Sequence, residues 1–316
     1  FTRLATYGFR CAKFRSPVPE AAAEPIEFSR RNFNLEKPVS EAEFEGYRRL
    51  YSYERTPLHS LIDSVDERAD YWIKQSVSFD AAYAGERVSG YLLLPKSGEP
   101  PFQAVIYFPP SGAFILNSSQ GLTFEDLEFL VSGGRAVFYP VYKGTYERRE
   151  ESESTALVWL NSPALTDAYR NHVVMWSKDL GRSVDYLESR SDIDDQRLAY
   201  YGYSAGAVLG VILTALEGRF RASVLHSGGF EYPKTFPEVD QLNFAPRVKI
   251  PTLMLNGRYD LYFPVETSQE PMYRALGTPN IDKHHAILEA GHTVPMDELA
   301  RETLAWLDRY LGSVSP

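Results

Sequence analysis

The stretch Tyr200-Tyr201-Gly202-Tyr203-Ser204-Ala205-Gly206 decides the fold. It begins in a short apolar run, Leu198 to Tyr201, that reads as a buried strand, and it ends where the apolar segment Ala205 to Leu216 reads as a helix. A Gly-x-Ser-x-Gly between a strand and a helix marks a sharp, crowded turn that lifts the serine hydroxyl above the sheet. Side chains two residues to either side would collide there, which explains glycine at 202 and 206. The same turn leaves the Ala205 amide at a helix N-terminus, pointing where an oxyanion would form.

Outward from this turn the pattern repeats. Short runs rich in β-branched and aromatic residues recur at Ala104 to Phe108, Ala136 to Tyr139, Ala222 to Leu225, Thr252 to Leu255 and Ala286 to Leu288. Helix-length segments lie between or after them: Leu165 to Ser189, Pro264 to Leu276 and Met296 to Leu311. Alternation of this kind predicts an α/β protein with a mostly parallel central sheet and helices on both faces. Before it, Trp72 to Pro95 alternates as a β-hairpin around Ala84-Gly85-Glu86. Ser40 with Glu43 forms a capping-box pattern ahead of Phe44, Tyr47, Leu50 and Tyr51, so a short amphipathic helix is expected there.

A serine hydroxyl is a weak nucleophile at neutral pH and requires a base, and on a fold of this type the order along the chain is Ser, Asp or Glu, His. His59 and His172 precede Ser204, and His284 and His285 open a strand, away from the sheet edge where ligands gather. His292, in Glu289-Ala290-Gly291-His292-Thr293, follows the last strand and is the expected base. His226 is also C-terminal to Ser204 but is assigned to the core or to a supporting place. Asp260, closing the turn Asn256-Gly257-Arg258-Tyr259-Asp260, is the expected carboxylate, with Glu266 and Asp240 in reserve. It would fix the imidazole tautomer and stabilise the imidazolium.

Besides Ala205, a second oxyanion donor is expected in Pro109-Pro110-Ser111-Gly112-Ala113-Phe114, the loop after Ala104 to Phe108. Proline has no N–H, so Ser111 comes first, with Gly112 and Ala113 as alternates; a plain tight turn is the competing reading. Tyr203, Phe114, Phe230 and Tyr259, with Tyr232 and Phe236, could crowd the substrate pocket, although any one of them could equally pack the core. The segment after Ala222 to Leu225, Phe230 to Lys249, is too short for a large lid, so a short cap or none is expected. Lys143 to Ala164 and the helix near Phe44 to Tyr51 are the other segments able to cover the site.

Composition excludes several classes. A hydrophobic fraction of 44%, a charged fraction of 24% and a net charge of -9 describe an ordinary globular chain with no nucleic-acid footprint. No apolar run is long enough to span a membrane and no signal peptide is visible, so a soluble chain is expected, with the cytoplasm favoured. One cysteine, Cys11, allows neither an internal disulfide nor a cysteine-built zinc site. Neither a metal nor an organic cofactor is expected.

Residues 77–316 resemble the dienelactone-hydrolase and acetyl-esterase branch of the α/β-hydrolase family, through the elbow at Ser204, the Asp260 turn and Gly291-His292. Asn171 to Leu180 and Leu255 to Asp260 are similar to hydrolase domains at the C-terminus of bacterial multidomain proteins. The opening Gly8-Phe9-Arg10-Cys11 resembles the closing strand of formylglycine-generating-type domains, so residues 1–15 are either a remnant of an upstream domain or an ordinary N-terminal arm. Residues 16–39, with three prolines between Ser16 and Glu27, read as a linker, and residues 40–76 as an N-terminal helical segment.

The resemblance implies an α/β-hydrolase fold and a serine carboxylesterase acting on small-molecule esters through an acyl-enzyme, and the short Phe230 to Lys249 segment with the aromatic residues named above adds the expectation of short-chain esters. Dienelactone hydrolases proper use a cysteine where this chain has Ser204, so their substrate does not carry over. The alternatives are a catalytically silent binding module, or a peptidase or thioesterase on the same fold.

Overall fold

A computed structural model describes residues 31–83, 85–149 and 165–314. The upstream remnant expected at 1–15, the first part of the linker and all of Lys143 to Ala164 beyond residue 149 lie outside them. The contacts divide the chain into Phe1–Arg31 and Asn32–Pro316, and the second unit carries the fold.

In chain order its elements are α1 (Glu41–Arg48), β1 (Leu61–Asp66), β2 (Trp72–Asp80), β3 (Arg87–Pro95), β4 (Phe102–Phe108), α2 (Glu128–Ser132), β5 (Ala136–Val141) and α3 (Asp167–Glu188). These are followed by β6 (Ile193–Tyr203), α4 (Ala205–Leu216), β7 (Phe220–His226), α5 (Gln241–Phe244), β8 (Thr252–Gly257), α6 (Glu270–Ala275), β9 (Lys283–Leu288) and α7 (Met296–Leu311). The strands form one nine-stranded sheet in the order β1-β2-β3-β5-β4-β6-β7-β8-β9. From β5 to β9 all neighbours are parallel, whereas β1, β2 and β3 join antiparallel at one end.

Successive residues of a strand face opposite sides, so a strand covered on both sides needs an unbroken apolar run. On β4, Ala104, Ile106 and Phe108 enter one core cluster while Val105 and Tyr107 enter the other; β6 divides the same way, with Leu198 and Tyr200 against Ala199 and Tyr201. The first cluster is closed by α3 and α4 through Trp176, Leu180, Leu209 and Ile212. The second is closed by α2 and α7 through Leu130, Val131, Trp306 and Leu307. The helix α4 is buried from Ala205 to Thr214, as an apolar surface on all sides demands.

The expected capping box is present: the Ser40 hydroxyl accepts from the Glu43 amide and the Glu43 carboxylate accepts from the Ser40 amide. Three boundaries differ from expectation. The helical segment placed at 40–76 gives way to extended chain after Tyr51 and holds β1 and the start of β2, so a boundary at residue 77 would cut a strand. Strand β1 is an edge strand with Leu61, Ile62 and Val65 exposed, and with no buried face it carries no apolar alternation. The end of the expected linker is docked on the catalytic unit. Phe33 is buried with its ring 4.7 Å from that of Phe230, and the Val39 amide donates to Asn243 Oδ1 at 2.9 Å. The helix expected over Pro264 to Leu276 is a wide turn, Val265–Gln269, running into α6, which accommodates Pro271 near its start where no N–H is needed.

Candidate active site

Ser204 stands between the end of β6 and the start of α4 with φ 53° and ψ -107°, a backbone geometry that a non-glycine residue rarely adopts. A side chain at Gly202 would strike the carbonyl of Gly206, and one at Gly206 would strike the carbonyl of Phe108. The strained serine is held by its own main chain: its N–H donates to the His226 carbonyl at 2.8 Å, and its carbonyl accepts from Val208 at 2.9 Å.

His292 reaches this elbow from the loop between β9 and α7. Its Nε2 lies 2.9 Å from Ser204 Oγ and its Nδ1 lies 2.8 Å from Asp260 Oδ2. A carboxylate can only accept, so Nδ1 carries the proton and Nε2 is left with the lone pair that faces the serine hydroxyl. Asp260 is fully buried at its side chain, and its other oxygen accepts from the amides of Tyr262 at 2.9 Å and Phe263 at 3.3 Å. Those bonds fix the carboxylate before the imidazole meets it. The rings of Tyr262, Phe263 and Tyr203 surround His292, with centroids at 4.9, 5.9 and 6.0 Å. The sequence analysis does not single out Tyr262 and Phe263; their place two and three residues after Asp260 is the available signal.

Of the reserve carboxylates, Asp240 caps α5 by accepting from the Leu242 amide, and Glu266 is exposed on the turn before α6. His226 is buried, with Nδ1 3.1 Å from the Tyr201 hydroxyl and its ring stacked on Tyr203 at 4.3 Å. Burial, and then the neighbouring His292, push its pKa down to about 3. A carboxyl group that sequence reading also missed, Glu231, is pushed up to about 7 by burial.

The Ala205 amide opens α4 beside the serine. The second donor loop coils as a single 3₁₀ turn, Ser111–Phe114, after Pro110. The alternate Ala113 is corrected: its amide donates to the Pro110 carbonyl at 3.1 Å and is spent in closing that turn. The amides of Ser111 and Gly112 meet no partner among the described residues. Beside this turn lies a cavity of about 290 Å³, with Gly112, Tyr107, Phe124, Asp126 and Tyr139 in its wall.

The expected pocket wall needs larger correction. Phe114 and Phe230 are only 0% and 1% exposed, packed on Trp176 and Phe33, because each has a core neighbour to cover it. Tyr259 is turned to solvent, and its hydroxyl donates to Glu289. Tyr232 hydrogen-bonds Thr267 and Phe236 lies under the Arg170 guanidinium. Tyr203 alone of the four stays half-buried beside Ser204. Of the segments expected to cover the site, α1 packs through Phe44 on Phe244, and Lys143 to Arg148 is tied inward by the Lys143 amide and the Arg148 guanidinium, both on Asp179. Among the described residues no three His, Cys, Asp or Glu side chains gather as a metal would require, and no helix is long and apolar enough to cross a membrane.

Similar folds occur in acetyl xylan esterase from Paenibacillus sp. R4, with TM-score 0.64 and 18% identity over 87% of this chain and 97% of that one. Acetyl xylan esterase 1 from Thermoanaerobacterium sp. JW/SL YS485 gives TM-score 0.64 and 17% identity over 86% and 94%. The glucuronoyl esterase from Solibacter usitatus gives 0.59 and 12% over 85% and 92%. No curated protein sequence matches the chain. The model of the dienelactone hydrolase family matches residues 90–297, which span β3 to the start of α7 and hold Ser204, Asp260 and His292. With its sheet order, its elbow and that match together, the chain belongs to the dienelactone hydrolase family and has the α/β-hydrolase fold.

Proposed function

We propose that the protein is a serine carboxylesterase, and the observation that carries the reading is the continuous chain Ser204 Oγ, His292 and Asp260 at 2.9 and 2.8 Å. Nε2 takes the hydroxyl proton as Oγ attacks the ester carbonyl, Asp260 stabilises the imidazolium, and the Ala205 amide with Ser111 or Gly112 receives the oxyanion. His292 then gives the proton to the departing alcohol, and water attacks the acyl-enzyme by the same route in reverse. The similar folds include esterases named for acetyl and glucuronoyl groups, which favours an ester carbonyl as the target.

Short acyl groups are the expected substrates. The aromatic crowding that supports this is Tyr203, Tyr262 and Phe263 around His292, after Phe114, Phe230 and Tyr259 are set aside. A tenfold preference needs only about 1.4 kcal/mol. The test is kcat/KM over p-nitrophenyl esters from two to sixteen carbons, with Ser204→Ala alongside. Two to four carbons should be cleaved best and Ser204→Ala should be inactive. An optimum at the long end refutes the size argument alone, wild-type turnover by Ser204→Ala puts another nucleophile in its place, and a wild type that cleaves none of the esters leaves the silent-module reading.

A further inference from the structure

Two neighbouring strands end in the same unusual way. Ser204 after β6 has φ 53°, and Ser227, directly after β7, has φ 54°. The first is accounted for by the elbow. The second is not accounted for by the turn it opens, since glycine would adopt this backbone with less strain and glycines stand at 228 and 229. A side chain in a strained position invites the question of what it touches.

Ser227 is fully buried, and its hydroxyl donates to the main-chain carbonyl of His292 at 2.6 Å. Among the described residues this is the one hydrogen bond to the His292 main chain. The Ser227 amide donates to the Leu255 carbonyl at 2.8 Å, which fixes the serine to β8, the strand leading to Asp260. The imidazole is thus held at its ring by Asp260 and Ser204 and at its backbone by Ser227. Among the described residues the other hydrogen bonds from outside this loop fall at its start, where the Arg258 and Tyr259 amides donate to the carbonyls of Leu288 and Ala290 and their side chains donate to the Glu289 carboxylate.

We propose that Ser227 is a positioning residue for His292: its hydroxyl sets where the imidazole sits between Ser204 and Asp260. The proposal rests on the acyl-transfer reading above. Ser227 is fully buried and acts through His292, so its effect is geometric. Misplacing a reacting group by about 1 Å can cost on the order of a hundredfold in rate.

The test uses Ser227→Gly and Ser227→Ala in the full chain. Glycine relieves the backbone while deleting the hydroxyl, so Ser227→Gly should melt within a few degrees of wild type. Its kcat on p-nitrophenyl acetate should fall between about tenfold and a hundredfold. KM should stay within about twofold, and labelling of Ser204 by a fluorophosphonate should slow by the same factor as kcat. Ser227→Ala should lose as much kcat and melt lower, since it keeps the strain. A folded Ser227→Gly with wild-type kcat overturns the proposal, as does a loss that appears in KM, or a Ser227→Gly that fails to fold. Ser204→Ala is the control: if it remains active, the acyl-transfer reading fails, whereas an inactive Ser204→Ala beside a fully active Ser227→Gly removes only the role of Ser227.

Discussion

His226 at the end of β7 and His292 after β9 flank the same tyrosine, at 4.3 and 6.0 Å from the Tyr203 ring, yet they live in opposite environments. His292 is partly open, at 22% side-chain exposure, and has a buried carboxylate behind it. His226 is enclosed, has a phenol for a partner, and is kept neutral by burial. Under the proposed acyl transfer the comparison separates the two imidazoles, since only His292 has a carboxylate to receive the charge that would form and a contact with the Ser204 hydroxyl. It also shows why the second ring is harmless, since a charged His226 would stand beside the imidazolium and oppose it.

The largest way to break this contrast is His292→Ala. Turnover should fall by about four orders of magnitude or more with little change in melting, as for members of a triad that act as one unit. The buried imidazole should be unable to substitute, and single-turnover assays would expose any activity it rescued.

Asp260→Asn sharpens the contrast by changing the carboxylate alone. An amide in that place can present N–H to Nδ1 and select the wrong tautomer, so a loss of about 10³ to 10⁴ in kcat is expected. A loss under tenfold would show that the carboxylate does not orient His292. The readout is kcat with circular dichroism to confirm the fold.

The smallest effect belongs to His226→Gln, which should keep kcat within about tenfold of wild type. Its signature is in stability. An unfolded histidine titrates near 6.5 while folded His226 titrates at about 3, so between these values the unfolded state binds more protons and stability falls as pH is lowered. Lowering pH from 7 to 5 should cost the wild type on the order of 1–2 kcal/mol more than the variant, measured by urea unfolding. His285, pushed down to about 4 by burial, contributes the same slope to both proteins and cancels in the difference. Equal pH slopes would mean that His226 is not held neutral by burial.

The members of the proposed site are legible because each carries a local constraint. Ser204 was marked by two glycines that the elbow requires, His292 by chain order and the strand before it, and Asp260 by a turn at a strand end. Ala113 was misjudged because a hydrogen bond between residues three apart, invisible in composition, consumes its amide. Phe114, Phe230 and Tyr259 stand away from the site because nearness in sequence to a loop or an acid does not say which way a ring points. The first two found Trp176 and Phe33, far away in the chain, and the third found Glu289. Strand β1 escaped notice because an exposed edge lacks the apolar period by which strands are recognised.

The sequence by itself determined the alternation of strand and helix, the elbow at Ser204 and the order in which base and acid follow it, since these depend on apolar period and on glycine where no side chain fits. Only the tertiary structure decided the distances at which Ser204, His292 and Asp260 meet, that Asp260 is pre-set by two backbone amides, and that Ser227 holds the His292 main chain from 65 residues away. Those are contacts between the ends of different strands, created when parallel strands bring their carboxyl ends to one edge of the sheet, and no local pattern encodes them.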